Sequence, residues 1–158
     1  SMEFGGCFLN KRLNRNNDGG TTRRTTDIFQ LATTVLFQNP VQNFALAPNN
    51  LKDVSPVCMD YMKTIPTTWD ETCFIDGYPG KYVVLARRHG GTWYVAAINA
   101  GKETLKLKLD LEMFAGKTVS LYKDDKKGAP QLVPLKVKEN GKVQLEILPQ
   151  GGAVLVNK

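Results

Sequence analysis

The chain has 158 residues, of which 42% are hydrophobic and 23% are charged. This is the composition of a folded protein, and it excludes an intrinsically disordered chain. The length fits one domain, or one small domain joined to a fragment of another. No run of the sequence approaches the roughly 20 apolar residues that a membrane-spanning helix needs, so we expect no membrane partner.

The net charge of +6 raises the question of nucleic-acid binding. Lysines, however, alternate with apolar residues at 105–109 and again at 135–138. Such alternation is typical of an amphipathic strand whose charged side faces solvent. The lysines therefore indicate a solvated surface, and we expect no nucleic-acid partner.

The cysteines are few and widely spaced, at Cys7, Cys58 and Cys73, and the only histidine is His89. Without a Cys-x-x-Cys pair this set does not provide the ligands of a structural zinc site. At most one disulfide can form within the chain. We expect free thiols that pack as small apolar side chains.

Two helices are predicted in the first 65 residues. Thr25 or Thr26 can cap a helix over residues 27–38, which ends before Asn39-Pro40. Pro56 suits the first turn of a second helix over residues 55–63. Between them, residues 41–47 form a short apolar run that is compatible with a buried strand or with a helical turn.

After Trp69 the hydrophobic pattern changes to an alternation with period two, which is typical of strands. The predicted strands are 69–76, 81–88, 92–99, 103–110, 117–123, 131–138, 142–148 and 153–157. Asn140-Gly141 predicts a two-residue hairpin between two of them. The fold class we predict is mainly β: an antiparallel β-sandwich preceded by a short helical segment.

Few residues of this sequence are candidates for a catalytic role. Asp70 and Glu71 are adjacent on a predicted strand, so we expect them on opposite faces and not as an acid/base pair. Asp124 and Asp125 fall in a predicted turn, where aspartate binds the local backbone.

Aromatic side chains offer a different possibility, because exposed rings can stack on sugars. Trp93 and Tyr78 are the candidates for sugar contact. Alternation sends Trp93 and Tyr94 to opposite faces of their strand, so at least one of these two rings belongs to the core.

Several motifs resemble one known family. They are Ile65-Pro66-Thr67-Thr68-Trp69-Asp70-Glu71-Thr72, Asp76-Gly77, Gly80-Lys81-Tyr82-Val83-Val84, Ala86-Arg87-Arg88, Trp93-Tyr94-Val95-Ala96 and Leu148-Pro149-Gln150-Gly151-Gly152. In combination they resemble the C-terminal part of glycoside hydrolase family 97, whose members include α-glucosidases and α-galactosidases. The resemblance implies that residues 1–65 are the end of a (β/α)8 catalytic barrel and that residues 66–158 are a C-terminal antiparallel β-sandwich domain.

The resemblance also assigns a role to Glu3, which matches the second glutamate of the family's Glu-Gly-x-x-Gly-x-Glu segment near the end of a late barrel strand. It implies that Glu3 is the general acid and a calcium ligand in the parent enzyme, which cleaves α-glycosidic bonds in oligosaccharides. The other catalytic carboxylate and the other calcium ligands lie outside this sequence. We therefore expect the isolated chain to bind no cofactor and to be inactive.

Some alternatives remain open at this point. The chain can instead be a non-catalytic carbohydrate-binding or interaction β-sandwich module. Gluco- or galacto-preference, a retaining or inverting mechanism, and whether Met2 is a native start are undecided. The family resemblance implies a periplasmic or extracellular location.

Self-association is expected through residues 27–38. The apolar residues of this predicted helix cover more than one narrow stripe. Ile28, Leu31, Val35 and Leu36 can face the β-domain or the second helix, whereas Phe29 and Phe37 point elsewhere. An apolar patch left in this way is typical of an interface.

Overall fold

The computed structural model of the chain describes residues 4–6, 9–12, 19–37, 39–46 and 48–157. The described part is mainly β, as predicted. Its helices are α1 (Asp27–Leu36) and α2 (Pro56–Thr64), with short 3-10 turns at Pro48–Asp53 and Glu112–Phe114. Its strands are β1 (Phe4–Gly6), β2 (Gln42–Phe44), β3 (Glu71–Tyr78), β4 (Tyr82–His89), β5 (Thr92–Asn99), β6 (Leu105–Asp110), β7 (Thr118–Asp124), β8 (Pro130–Lys136), β9 (Lys142–Ile147) and β10 (Gly152–Val156).

Both helices begin at the residues that the sequence indicates. The Thr26 hydroxyl accepts a hydrogen bond from the Phe29 backbone N–H at 3.1 Å and so caps α1. The Ser55 hydroxyl caps α2 in the same way, by accepting from the Val57 N–H at 3.3 Å. Helix α1 ends at Leu36, two residues earlier than predicted, because Phe37 already has an extended backbone.

The short strands β1 and β2 pair in parallel, with Phe4 opposite Gln42 and Gly6 opposite Phe44. The apolar run at 41–47 is therefore a strand at its centre and not a helical turn. Since α1 lies between β1 and β2 in the chain, the three elements have the order of a β–α–β crossover.

A six-stranded antiparallel sheet dominates the fold. Its strand order is β3-β4-β5-β10-β7-β8, so β10 inserts between two strands that come before it in the chain. Strands β6 and β9 form a separate antiparallel pair. The apolar faces of the two sheets enclose one core, which confirms the predicted sandwich. Its fully buried members include Val84, Val95, Leu111, Phe114 and Leu155.

The opposite face of the six-stranded sheet is covered by the helices. Ile28, Leu31 and Val35 of α1 are fully buried there, and Tyr61 of α2 stacks edge-on against Tyr122 of β7 at 5.0 Å. The Tyr61 and Thr34 hydroxyls are hydrogen-bonded at 3.1 Å, which links the two helices. The sheet thus separates two apolar cores, one toward β6–β9 and one toward α1 and α2.

The prediction of a hairpin at Asn140-Gly141 is wrong. A turn is present, because the Gly141 N–H donates to the Lys138 carbonyl at 2.9 Å and Gly141 has a φ of 70°. The strands on either side nevertheless pair with different partners, β8 with β7 and β9 with β6. The chain crosses from one sheet to the other because Val143, Leu145 and Ile147 of β9 bury their side chains opposite the leucines of β6.

The cysteine prediction is confirmed for the two cysteines that the structure describes. Among the described residues, Cys58 and Cys73 are thiols outside any disulfide, with Cys58 buried and Cys73 half-buried. Cys7 lies outside the described residues. Within the described ranges, no helix has the length and apolar character needed to cross a bilayer.

Candidate functional site

The candidate general acid, Glu3, lies outside the described residues. The strand β1 begins directly after it, at Phe4. The family resemblance puts this glutamate near the end of a barrel strand, and barrel active sites are built at the carboxyl ends of strands. The position of the Glu3 carboxylate therefore stays a prediction.

Trp93, the first sugar-contact candidate, is half-buried on β5 and packs against the sandwich core. The Arg88 guanidinium carbon lies 5.9 Å from its ring centre, within the range of a cation–π contact. Its backbone N–H donates to the Asn157 side-chain oxygen at 2.6 Å. The ring therefore packs against the core and against Arg88, which leaves part of its surface accessible.

Tyr78, the second candidate, is 57% exposed at the end of β3. The Lys81 ammonium lies 4.5 Å from its ring centre. Together with Phe74, which is 67% exposed, Tyr78 borders a mostly apolar cavity of about 390 Å³. Gly77 belongs to the same cavity, and the Phe74 ring lies against it.

The structure does not bring Tyr78 and Trp93 together. Tyr78 pairs with Tyr82, the first residue of β4, whereas Trp93 pairs with Arg88 near the other end of that strand. Six residues of extended strand span about 20 Å. A single sugar ring therefore cannot contact both side chains, and any sugar site is built around one of them.

Asp70 and Glu71 do not point to opposite faces, so that expectation is wrong. Asp70 lies before β3 starts, and strand alternation does not apply to it. Both carboxylates contact Arg88, with Nε 3.2 Å from Glu71 and Nη1 3.7 Å from Asp70. They make an ion-pair group with Arg88 at the surface. His89 is an exposed residue beside it, and its Nδ1 lies 2.9 Å from the Thr68 carbonyl oxygen.

Asp124 and Asp125 have different roles, although the sequence predicts one turn role for both. Asp125 accepts hydrogen bonds from the Lys127 and Ala129 N–H groups, as a turn aspartate does, and these bonds lower its pKa. Asp124 is the last residue of β7 and is only 7% exposed. Its Oδ2 accepts from the Thr26 hydroxyl and the Gly152 N–H, while its Oδ1 has no hydrogen-bond partner. Burial raises the pKa of Asp124 to about 6.

A calcium site is not formed by the described residues alone. Among them, no three His, Cys, Asp or Glu side chains lie close enough together to hold a metal ion. Calcium takes six to eight oxygen ligands. A calcium site that includes Glu3 would therefore need ligands from elsewhere in the parent enzyme.

The surface of the predicted self-association segment is partly apolar. Four residues of α1 are fully buried against the sheet, namely Ile28, Leu31, Ala32 and Val35. Phe29 is half-buried, and Phe37, directly after the helix, is 46% exposed. Val41 and Leu51 are further exposed apolar side chains in the same part of the chain.

The comparisons with known proteins agree on one family. The family model described as "Glycosyl-hydrolase 97 C-terminal, oligomerisation" matches residues 68–157. A retaining α-galactosidase of Bacteroides thetaiotaomicron is 31% identical over 133 residues, which are 80% of this chain and 20% of that protein. A probable retaining α-galactosidase of Streptomyces bingchenggensis is 34% identical over 103 residues, which are 64% of this chain and 15% of that protein.

Solved structures agree with these relatives. The crystal structure of a β-arabinopyranosidase is 83% identical, with a TM-score of 0.96, over 99% of this chain and 25% of that chain. A family 97 enzyme of Pseudoalteromonas sp. strain K8, in complex with panose, has the same fold with a TM-score of 0.78 at 22% identity, over 98% of this chain and 26% of that chain. The chain therefore spans about a quarter or less of these relatives.

The matched residues 68–157 coincide with the region from Thr68 to the end of β10, which includes the whole sandwich. This model covers more than half of the chain, and its description names the domain as one of oligomerisation. The chain belongs to glycoside hydrolase family 97 and contains the C-terminal domain of that family.

Proposed function

We propose that the parent enzyme hydrolyses β-arabinopyranosides and α-galactosides and that this chain forms the scaffold at its carboxyl end. The observation that carries the proposal is the 83% identity with a β-arabinopyranosidase over 99% of the chain. The two curated relatives, both α-galactosidases by name, support the same substrate class. β-L-Arabinopyranose has the ring configuration of α-D-galactopyranose without the hydroxymethyl group, so one pocket can take both sugars.

The experiment is an assay of the full-length parent on three nitrophenyl glycosides: the β-L-arabinopyranoside, the α-D-galactoside and the α-D-glucoside. We expect turnover of the first two, with the glucoside slower by at least tenfold. We expect polar groups of the active site to hydrogen-bond the axial hydroxyl that distinguishes galactose from glucose. Leaving such polar groups unpaired lowers kcat/KM far more than the loss of a methylene contact does. Turnover of the glucoside alone would overturn this substrate class.

We infer further that residues 1–65 are the end of the catalytic barrel and that residues 66–158 are the C-terminal domain. The parallel pairing of β1 with β2 around the helix α1 supports this division, because barrels are built of such crossovers. Glu3 is the candidate general acid by family resemblance. Replacement of Glu3 by Gln in the full-length enzyme should abolish most of kcat while leaving the fold intact.

The mechanism we propose for the parent is retaining, as the names of both curated relatives indicate for those proteins. A retaining glycosidase needs a nucleophilic carboxylate about 5–5.5 Å from the acid. Glu3 alone cannot supply both groups, so we expect the isolated 158-residue chain to be inactive on α-glucosides and α-galactosides. Turnover by the isolated chain that disappears on Glu3→Gln would contradict this assignment.

Calcium belongs to the parent in this proposal, with Glu3 as one of its ligands. The ion would supply a fixed positive charge beside the general acid when bound. Chelation of the full-length enzyme should therefore reduce activity, and calcium should restore it. Chelation should leave the melting temperature of the isolated chain unchanged, since its described residues hold no cluster of ligands.

We infer that self-association of this chain uses residues 27–38, with Phe37 as the central apolar contact. Its 46% exposure supports this choice, because the other large side chains of the segment are mostly covered by the sheet. Phe37→Asp should shift the chain from oligomer to monomer in sedimentation analysis. Phe74→Asp, at an even more exposed aromatic position on β3, is the control. Dissociation by Phe74→Asp alone would move the interface to β3.

A second candidate function is sugar contact at Tyr78. The exposed aromatic pair Phe74 and Tyr78 beside the same apolar cavity favours it. Titration of the isolated chain with galactose or arabinose oligosaccharides should then show weak binding that Tyr78→Ala removes. Trp93→Ala tests the other candidate ring. Binding unaffected by both substitutions would exclude these two positions.

A further inference from the structure

Arg87 is the largest fully buried side chain in the described part of the molecule, with only 1% of its surface exposed. It lies on β4 opposite Tyr94, on the face of the sheet that the helices cover. Its Nη1 donates to the Phe37 carbonyl oxygen at 3.1 Å. Its guanidinium carbon lies 5.8 Å from the ring centre of Trp69, so the ring accounts for part of its stabilisation.

Most of the hydrogen-bonding capacity of this cation is unused. The Arg87 Nε and Nη2 atoms are buried without a hydrogen-bond partner among the described residues, and so is the indole nitrogen of Trp69. A buried charge without a counter-ion is strongly unfavourable, and each unpaired buried donor adds its own desolvation cost. Burial accordingly lowers the pKa of Arg87. The unpaired donors are groups that an anion can satisfy.

The two unpaired guanidinium nitrogens belong to one edge of the group. In arginine the Nε–H and Nη2–H bonds point to the same side, with the spacing of the two oxygens of a carboxylate. This edge makes the bidentate pair that arginine forms with carboxylates. Nη1, on the other side, is the atom that binds Phe37. The free edge is therefore complementary to one carboxylate.

A cavity of about 350 Å³ adjoins Arg87 and Trp69. Among the described residues, its other polar lining comes from Asn39, Thr67, Thr68 and Thr72, and none of the described lining residues is acidic. The two carboxylates closest to it in sequence are engaged elsewhere. Glu71 pairs with Arg88, and Asp70 accepts from the Gly90 N–H at 2.7 Å.

We propose that Arg87 and Trp69 form a binding site for a carboxylate, which enters this cavity and pairs with the Nε–Nη2 edge of Arg87. Two sources can supply this group. One is an acidic side chain from another part of the full-length parent, and the other is a free carboxylate such as the carboxyl group of an acidic sugar. Both sources present the same chemical group, so a small carboxylate tests the chemistry in both cases.

The first experiment follows the indole N–H signals of the 15N-labelled chain by NMR. The chain has two tryptophans, and Trp93→Phe assigns the remaining signal to Trp69. Sodium acetate is titrated against sodium chloride at equal ionic strength. We expect the Trp69 signal to shift and saturate with acetate but not with chloride, while the Trp93 signal of the native chain stays in place. No difference between the two salts at Trp69 would overturn the proposal, because a water molecule would then suffice to satisfy these donors.

The second experiment measures thermal unfolding in the same two salts. For a dissociation constant of about 10 mM, 100 mM acetate raises the ratio of folded to unfolded chain about 11-fold. This gain should vanish in Arg87→Met, which has a similar length without the charge. It should persist in Arg88→Met, whose arginine is half-buried and already paired with Glu71. If Arg87→Met does not fold, Arg87→Lys serves instead, since lysine keeps the charge but loses the bidentate edge.

The full-length parent then distinguishes the two sources. If an acidic side chain of the parent fills the site, acetate stabilises the isolated chain but not the parent. If the natural ligand is a free carboxylate, acetate stabilises both, and Arg87→Met removes the effect in both. Equal gains in Arg88→Met and in Arg87→Met would contradict the assignment to Arg87.

Discussion

Thr26 and Asp124, which are 98 residues apart in sequence, are joined by a hydrogen bond of 2.9 Å from the hydroxyl to Oδ2. The same hydroxyl accepts from the Phe29 N–H and caps α1. Asp124 also accepts a hydrogen bond of 3.1 Å from the N–H of Gly152, which is the first residue of β10. The start of the helix, the end of β7 and the start of β10 therefore meet at one buried carboxylate. This contact fixes α1 on the sheet.

The stability of the chain should depend on pH through Asp124. Its pKa is about 6 in the folded state, against 3.8 for the free group, so the folded chain holds this proton more tightly than the unfolded chain. The free energy of unfolding should therefore decrease as pH rises from about 4 to about 6, by on the order of 3 kcal/mol from this residue. Asp124→Asn cannot ionise and should lack this part of the pH dependence.

The measurement is urea unfolding of the native chain and of Asp124→Asn at pH 4.0 and pH 7.5. The free energy of unfolding of Asp124→Asn, taken relative to that of the native chain, should be higher at pH 7.5 than at pH 4.0. Asp125→Asn is the control, because hydrogen bonds within the turn lower the pKa of that carboxylate instead of raising it. A stability difference between native chain and Asp124→Asn that is equal at both pH values would contradict the raised pKa.

Removal of the Thr26 hydroxyl should destabilise the chain more than loss of an ordinary helix cap. Thr26→Val keeps the shape but removes both the acceptor for Phe29 and the donor to Asp124. Loss of a cap costs about 1 kcal/mol, and a buried carboxylate oxygen without its donor costs about 1–3 kcal/mol more. Thr26→Ser, which keeps the hydroxyl, should lose well under half as much in the same unfolding assay.

Gly152 is required by the close approach of α1 to β10. A Cβ atom at this position would lie 2.8 Å from the Phe29 Cα and 2.9 Å from the Ile28 carbonyl oxygen. Both are backbone atoms, so the helix itself must move. We expect Gly152→Ala to cost about 1–3 kcal/mol or more. Gly91→Ala, where a Cβ meets nothing within 4 Å, should change stability by less than about 0.5 kcal/mol.

The central strand β10 should be the most sensitive to truncation. Leu155 is fully buried between the two sheets, and Leu155→Ala should cost about 2–5 kcal/mol through lost burial and the cavity left behind. Leu132 lies on the edge strand β8 and is 46% exposed. Leu132→Ala should cost less than about 1 kcal/mol. Similar losses at the two positions would mean that the sandwich is not the stabilising core.

Strands and helices could be predicted because the residues that define them act locally. Thr26 and Ser55 cap helices through atoms three or fewer residues away. The eight strands from β3 to β10 lie within two residues of their predicted bounds, since alternation follows the two faces of a sheet. The sandwich follows from the same alternation.

Features that depend on distant residues could not be predicted. Asn140-Gly141 makes a turn, but which strands pair is decided by the leucines of β6 opposite β9. Asp124 looks like Asp125 in sequence, and only the approach of Thr26 and Gly152 separates their roles. Arg87 is followed directly by Arg88, and nothing in the local sequence indicates which of the two arginines is buried. The burial of Arg87 depends on α1 and Trp69, which lie 18 or more residues away.

The central claim, that this chain is the C-terminal part of a glycosidase for galacto-configured pyranosides, is tested most directly by kcat/KM of the full-length parent. The assay compares nitrophenyl β-L-arabinopyranoside, α-D-galactoside and α-D-glucoside under one set of conditions. We predict that the first two are hydrolysed with kcat/KM at least about tenfold above the glucoside. A parent that hydrolyses only the glucoside, or none of the three while folded and calcium-replete, would contradict the claim.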